Sequence, residues 1–129
     1  MNKTAIQTNR APAPGGSYSQ GIAAGPWVFT AGMGPHDPDT KEIVGSTIEE
    51  QTQQALLNLE AILSARELSR DDIVKVTAHL EDLDHDFAGF DAAYRRFFRE
   101  PFPVRTTVGS RLDGILVEID CIAVSPVSQ

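Results

Sequence analysis

The stretch PFPVRTTV, residues 101–108, marks the point at which a helix must end and a strand begins. Pro101 and Pro103 cannot continue a helix, and the β-branched run that follows them is typical of a strand. Arg105 lies near the head of this run. Because burial of an unpaired charge is costly, Arg105 should either face solvent, pair with another side chain or serve a function.

Two amphipathic helices are predicted upstream of this stretch. Ser46 and Glu49 have the spacing of a capping box, and the helix behind them carries one apolar stripe and should end near Arg66. A second helix follows the polar run 81–86 and stops before Pro101. Its aromatic residues recur at helical spacing, and we interpret them as core residues: Phe87, Phe90, Tyr94, Phe97 and Phe98.

Five strand-like runs complete the pattern and give the order β-β-α-β-α-β-β. The first two flank the turn signal Gly25-Pro26 and are predicted to form a hairpin. The predicted strands are 21–24, 27–31, 72–80, 104–109 and 115–124. We expect one domain over residues 1–129, with flexible ends at 1–10 and 125–129.

The helix stripes predict an α+β fold with both helices packed on one face of a mixed sheet. No further segment is available to cover the other face of the sheet. Oligomerisation is therefore the expected way to bury that face.

Composition restricts the classes of function. The net charge of −7 argues against general affinity for nucleic acid or for an anionic membrane. The single cysteine, Cys121, cannot form an internal disulfide and is expected to be a small buried hydrophobe. No apolar run approaches the length of a membrane span or signal peptide, so a cytoplasmic protein is expected.

Common motifs for cofactors are missing from the sequence. It contains neither a phosphate-binding Gly-Lys-Ser loop nor a dinucleotide glycine fingerprint. His36, His79 and His85 are widely separated and lack the spacing of metal ligands. We interpret His79 and His85 as surface or hydrogen-bonded residues.

Two hypotheses remain open for Arg105 and for Glu118, which interrupts the apolar run ILVEI at 115–119. The first is a cross-strand ion pair worth about 0.2–1 kcal/mol if exposed, and spacing alone favours it. The second is a cleft in which Arg105 holds a small carboxylate through a bidentate pair worth roughly 1.5–3 kcal/mol. Glu118 would then act as a general acid or base.

Several segments, in this order and spacing, resemble the Rid family of reactive intermediate deaminases, also called YjgF-type. The likeness covers almost the whole chain and is specific in combination. The segments are APAPGGSYSQG at 11–21, VFTAG at 28–32, PHDP at 35–38, QTQQALLNL at 51–59, IVKVT at 73–77, YRRFF at 94–98, PVR at 103–105 and VEIDCIA at 117–123.

This resemblance implies a chorismate-mutase-like homotrimer with sites in the clefts between subunits. It also implies hydrolysis of enamines or imines, such as 2-aminoacrylate, to a ketoacid and ammonia without a cofactor or metal. In that reaction Arg105 would bind the substrate carboxylate and Glu118 would position or activate water. Tyr18, from a neighbouring chain, would close the cleft, and the Gly32 backbone would contact substrate or water.

The sequence departs from the family pattern at residues expected near the site. The family often has Ser, Gln, Asn and Cys where this chain has Ala31, Met33, Asp91 and Thr107. Met33 is expected to make the pocket mouth more apolar, and Thr107 keeps a hydrogen-bonding group. Asp91 would disfavour an anionic substrate unless it is paired or protonated. A larger or less polar enamine is therefore an alternative substrate.

Two other functions stay open alongside the deaminase. One is a non-catalytic module that binds a small carboxylate or ketoacid in the same cleft. The other is a ribonuclease or translation inhibitor, which the net charge of −7 disfavours.

A structural departure is Arg66-Glu67, which replaces the glycine usual in the family after the first helix.

Overall fold

The computed structural model describes residues 2–126, which form a six-stranded sheet and two α-helices. A turn of 3-10 helix at Arg70–Asp72 precedes β4. The elements are β1 Lys3–Ile6, β2 Gly21–Ala24, β3 Trp27–Thr30, α1 Ile48–Ser64, β4 Ile73–Leu80, α2 Leu83–Phe97, β5 Val104–Gly109 and β6 Val117–Val124. Residues 127–129 of the tail predicted to be flexible lie outside the described residues.

The sheet has the strand order β1-β2-β3-β6-β4-β5. Its strands pair antiparallel except for β4 and β5, which are parallel. Helix α1 packs on β3 and β6, and α2 packs on β4 and against α1. The predicted arrangement of two helices on a mixed sheet is therefore confirmed.

Strand β1 was not predicted. It lies within the segment 1–10 that we expected to be flexible, and it pairs antiparallel with β2, Lys3 opposite Ala24. Ile6 is its one buried residue. Because only one of its four side chains is buried, the sequence of β1 shows almost no alternation of apolar and polar residues. This explains why the strand was not predicted.

Strand β6 runs through the middle of the sheet and separates its two faces. Val117, Ile119, Cys121 and Ala123 are buried beneath the helices, while the residues between them are half-buried on the opposite face. The helices complete this core with fully buried side chains, among them Leu56, Leu59, Ile62, Leu63 and Phe90. Every second side chain of β6 therefore packs against the apolar stripes of the two helices, as the sequence predicted.

The start of α1 lies one residue later than predicted. Thr47, not Ser46, is the N-cap: its Oγ1 accepts from the Glu50 N–H, and the Glu50 carboxylate accepts from the Thr47 N–H, both at 3.1 Å. Ser46 and Thr47 are each followed by a glutamate three residues later, so the spacing fits both frames. With Thr47 as the N-cap, Ile48 is the first helical residue, and its side chain is buried.

The face of the sheet away from the helices is open and partly apolar. Trp27 and Phe29 on β3 are 41% and 42% exposed, and Val104 on β5 is 66% exposed. These side chains make the open face a candidate interaction surface. Within residues 2–126, neither helix has the length and apolarity needed to cross a membrane.

The turn that follows helix α1 contains a residue in the left-handed region. Glu67 has φ of 61°, its N–H donates to the Ser64 carbonyl at 3.0 Å, and the Leu68 N–H donates to the Leu63 carbonyl at 3.1 Å. This is the hydrogen-bond pattern of a Schellman motif, in which glycine is preferred. The departure from the family at Arg66-Glu67 is therefore structural.

We predict that Glu67→Gly stabilises the fold by about 0.5–1 kcal/mol, because a side chain in the left-handed region costs more than the added backbone freedom of glycine. Urea unfolding at matched protein concentration measures the change. Ala65→Gly, at a position with φ of −65°, is the control and should destabilise. A Glu67→Gly variant that is no more stable than the parent would contradict the interpretation.

Cys121 is buried as predicted, with 2% of its surface exposed. Its backbone N–H donates to Thr30 Oγ1 at 3.0 Å. Burial raises the pKa of the Cys121 thiol to about 12. The folded protein therefore holds the thiol proton at a pH where the unfolded chain, with a thiol pKa of about 8.5, has released it.

We predict that the free energy of unfolding falls as pH rises from about 8.5 toward 12, because ionisation of this thiol stabilises only the unfolded chain in that range. Urea unfolding at several pH values measures the slope. Cys121→Ala should have a shallower slope, since it removes this proton and leaves the other alkaline groups in place. Equal slopes for parent and variant would refute the prediction.

Candidate functional site

The register of the parallel pair β4–β5 places Arg105 on the helix side of the sheet. Arg105 lies opposite Val76, and Thr107 lies opposite Ala78; both β4 residues are fully buried beneath the helices. Val104 faces the other way and is exposed. The predicted alternation of Arg105, Thr107 and Val104 is therefore confirmed.

The ion-pair partner of Arg105 is Asp91 on α2. Arg105 Nη1 donates to Asp91 Oδ1 at 2.9 Å, and Arg95 Nη2 lies 3.5 Å from Asp91 Oδ2. The expectation of a cross-strand pair with Glu118 is wrong. Strand β4 lies between β5 and β6, and Glu118 lies opposite His79 on the open face of the sheet.

Aromatic rings of α2 surround the guanidinium. The Arg105 Cζ lies 4.6 Å from the centroid of Tyr94, 5.2 Å from that of Phe90 and 5.6 Å from that of Phe87. These distances are typical of cation–π contacts. The interpretation of the aromatic stripe as core alone is therefore incomplete. Phe90 and Tyr94 are buried, but Phe87 is 40% exposed, and all three also hold Arg105.

A pocket of about 270 Å³ opens beside this cation. Its lining residues are Asp91, Tyr94, Arg95, Phe102, Pro103 and Arg105. The Arg105 side chain is 20% exposed, and within residues 2–126 its one hydrogen bond is the bond from Nη1 to Asp91. The Nε and Nη2 donors are therefore available to a bidentate acceptor such as a carboxylate.

Sequence reasoning missed four of the pocket residues, namely Tyr94, Arg95, Phe102 and Pro103. Tyr94 was assigned to the core; burial raises the pKa of its phenol to about 12, so it stays neutral. Phe102 lies between two prolines, and Arg95 follows Asp91 by four residues. The spacing of Arg95 and Asp91 on a helix is a signal that could have indicated their pairing.

Glu118 and Gly32 form a second cluster on the other face of the sheet. A Cβ atom at position 32 would lie 2.6 Å from Glu118 Oε1 and 2.9 Å from its Cδ. The Gly32 backbone therefore packs directly on the carboxylate. Reciprocal backbone hydrogen bonds between Met33 and Ile119, at 2.8 and 3.0 Å, hold the two segments together.

Met33 does not form an apolar pocket mouth, contrary to our expectation. Its side chain is 4% exposed and belongs to the hydrophobic core. The reason is its pairing with Ile119, a residue whose side chain is itself buried in the core. The neighbouring Gly32, not Met33, is therefore the residue beside Glu118.

Tyr18 belongs to the loop between β1 and β2. Its hydroxyl accepts from the Gly15 N–H at 2.9 Å, and its side chain is 52% exposed. Buried Gln20 holds this loop by donating to the carbonyls of Thr8, Ala11 and Pro12. Tyr18 is not among the residues that line the Arg105 pocket.

The structure thus brings some predicted site residues together and separates others. Arg105 and Asp91 share one pocket, and Thr107 lies on the same face of the same strand. Gly32 and Glu118 share a cluster on the opposite face. A ligand in the pocket of one chain cannot touch both Arg105 and Glu118 of that chain, because the sheet lies between them.

The charged groups near Glu118 are arranged along β4 and β6. Burial raises the pKa of Asp120, and the nearby His79 and Lys75 partly offset this shift. His79 Nδ1 lies 2.6 Å from Ser110 Oγ, and His85 Nδ1 lies 2.7 Å from Asp86. The interpretation of His79 and His85 as surface or hydrogen-bonded residues is confirmed.

Among residues 2–126, no three metal-binding side chains cluster in a way that could hold an ion.

Comparisons with known proteins agree with the sequence resemblance. The family model described as Endoribonuclease L-PSP matches residues 8–125. A RutC family protein of Pyrococcus horikoshii is 46% identical and covers 94% of this chain and 97% of its own. The 2-iminobutanoate/2-iminopropanoate deaminase of Salmonella typhimurium is 43% identical, with coverages of 96% and 98%.

The fold is also similar to that of solved structures. The structure of TdcF from Escherichia coli with bound serine superposes with a TM-score of 0.88 at 40% identity, over 94% of this chain and 98% of that one. The match of the family model to residues 8–125 covers nearly the whole chain. The chain therefore belongs to the family described as Endoribonuclease L-PSP, which includes the Rid or YjgF-type reactive intermediate deaminases.

Proposed function

We propose that this chain is an enamine and imine deaminase, which hydrolyses reactive intermediates such as 2-aminoacrylate to a ketoacid and ammonia without a cofactor or metal. The observation that carries the proposal is the Arg105 pocket. A guanidinium with two uncommitted donors lies over three aromatic rings beside a cavity of about 270 Å³. That volume suits a small carboxylate, since drug-sized ligands need about 300–1,000 Å³.

Arg105 is the proposed anchor for the substrate. Its Nε and Nη2 atoms present a planar edge that matches the two oxygens of a carboxylate. The Asp91 bond to Nη1 and the rings of α2 hold the guanidinium in place before substrate arrives. Preorganisation of this kind lowers the entropic cost of binding.

Glu118 is the proposed general base. 2-Aminoacrylate tautomerises to an imine whose C2 carbon is electrophilic, so hydrolysis needs a positioned water and proton transfers more than a strong nucleophile. Glu118 takes a proton from the water as its oxygen bonds to C2. The C2=N π electrons move to nitrogen, which takes that proton to give a carbinolamine. The carbinolamine nitrogen then takes the proton of the C2 hydroxyl, the C–N bond breaks as C2=O forms, and ammonia leaves the ketoacid.

Gly32, Thr107 and Tyr18 have supporting roles in this proposal. The Gly32 backbone contacts water or substrate beside Glu118, because no side chain stands between them. Thr107 contributes a hydrogen-bonding group next to Arg105 on β5. Tyr18, which is 52% exposed on its loop, closes the cleft of a neighbouring chain.

A homotrimer with sites between subunits completes the proposal. Arg105 and Glu118 lie on opposite faces of one sheet, so one substrate can reach both only if they come from different chains. The open face with Trp27, Phe29 and Val104 supplies apolar surface for such an interface. We place the reaction in the cytoplasm, where a lone buried thiol such as Cys121 stays reduced.

A carboxylate-binding module without catalysis is the second candidate. The observation that favours it is that the Arg105 pocket is built within one chain and does not include Glu118. Nuclease activity is not proposed, because the net charge of −7 and a pocket of this size do not suit a polynucleotide.

Replacement of Arg105 tests the deaminase directly. We predict that Arg105→Ala lowers kcat/KM for enzymatically generated 2-aminoacrylate by about 100-fold, since it removes a charge-assisted bidentate pair worth up to about 3 kcal/mol. Ketoacid release measured by a coupled dehydrogenase gives the rate. Arg99→Ala is the matched control, because Arg99 is 79% exposed and pairs with Asp71 away from the pocket.

Two results of this assay would contradict the deaminase. One is a parent protein that does not accelerate ketoacid release. The other is an Arg105→Ala variant as fast as the parent. Saturable ketoacid binding by a parent that turns over no imine would instead establish the binding module.

Mixing two inactive variants tests the division of the site between subunits. Arg105→Ala and Glu118→Ala should each retain no more than about 1% of the parent activity, since each lacks one half of every site. After subunit exchange of an equal mixture, about a quarter of the sites regain both groups, because each group comes independently from a different chain. Recovery of about a quarter of the parent activity is expected, and no recovery after verified exchange would place both groups in one chain.

A further inference from the structure

We propose that Asp91 is a specificity-determining residue that makes the Arg105 pocket selective for molecules with a carboxylate and a cationic nitrogen on adjacent carbons. This inference rests on the proposed function in that it takes Arg105 as the carboxylate anchor. It goes further by assigning the substrate nitrogen a partner. 2-Iminium carboxylates have this pattern of charge, and 2-amino acids are their stable analogues.

The geometry puts opposite charges side by side at one pocket wall. Asp91 Oδ1 accepts from Arg105 Nη1 at 2.9 Å, and both residues line the pocket. Arg95, at 3.5 Å from Oδ2, brings the local sum of the three charges to +1. The Asp91 side chain is 31% exposed, so a bound ligand meets its carboxylate.

A carboxylate held by Nε and Nη2 of Arg105 would lie roughly 7 Å from the Asp91 carboxylate, because Nη1 points away from that edge of the guanidinium. At that separation like charges repel by about 0.6 kcal/mol in a water-like dielectric, which is about threefold in affinity. A cationic nitrogen on C2 would offset this repulsion, because it presents a positive charge to Asp91. Asp91 therefore penalises simple anions relative to zwitterions.

The same arrangement separates substrate from product. Hydrolysis replaces the C2=N bond with C2=O and releases the nitrogen as ammonia. The ketoacid product keeps its negative charge and has lost the positive one. Asp91 consequently weakens the binding of product relative to substrate, which favours release after each turnover.

The simpler alternative is that Asp91 only holds Arg105 in position. A purely structural role would change the affinity of every carboxylate by the same factor when Asp91 is replaced. The charge-recognition role predicts a larger gain in affinity for simple anions than for zwitterions. The two roles are therefore distinguished by a ratio of affinities, which does not depend on catalysis.

The experiment is an NMR titration of isotope-labelled parent and Asp91→Asn proteins with L-alanine, L-lactate and pyruvate. These probes share a three-carbon carboxylate and differ in the group on C2. The parent should prefer L-alanine. In Asp91→Asn the affinity for L-lactate and pyruvate should rise about threefold and that for L-alanine should change little, so that the ratio changes about threefold.

Arg95→Gln is the matched control, because it removes the other cation beside Asp91 and leaves the carboxylate in place. This variant should keep the preference for L-alanine. Loss of the preference in both variants would attribute it to disturbance of the cluster and overturn the inference. Binding of all three probes with an unchanged ratio in Asp91→Asn would overturn the role of Asp91 alone. No binding of any probe to either protein would overturn the Arg105 carboxylate site as well.

Discussion

The position of β4 between β5 and β6 is the constraint on which the rest of the site depends. Parallel pairing with β4 turns Arg105 toward the helices, whereas antiparallel pairing of β6 with the same strand turns Glu118 to the open face. One strand therefore sets the orientation of both charged residues. A site that uses both must be assembled from two chains, and this links the proposed chemistry to the uncovered face of the sheet.

Helix α2 combines stability and recognition on a single face. Its aromatic rings fill the space above the sheet, and the same rings hold the guanidinium of Arg105 at distances of 4.6–5.6 Å. Asp91 projects from the same helix toward that cation. A packed helix is a rigid support, so the anchor of the pocket is positioned by the core itself and not by a mobile loop.

Much of the fold was predictable because the signals are local. The strands of the hairpin at Gly25-Pro26, helix α1 and the strand at 104–109 were predicted to within about two residues, which is typical of strongly patterned segments. Helix α2 begins at Leu83, inside the polar run 81–86 that was predicted to precede it, because Asp82 is its N-cap. The identity of the α1 N-cap was ambiguous from the sequence, because Ser46 and Thr47 are each followed by a glutamate three residues later. Strand β1 was missed because it buries one residue, and the left-handed conformation at Glu67 has no signature without glycine.

The sequence by itself determined the element types, the faces of the strands, the burial of Cys121 and the residues Arg105, Glu118 and Gly32 as site candidates. Only the tertiary structure decided their partners. Asp91 rather than Glu118 pairs with Arg105, Met33 enters the core, and Tyr94 joins the pocket. The physical reason is that local spacing determines which side a residue faces, while the order of strands in the sheet determines what lies beside it.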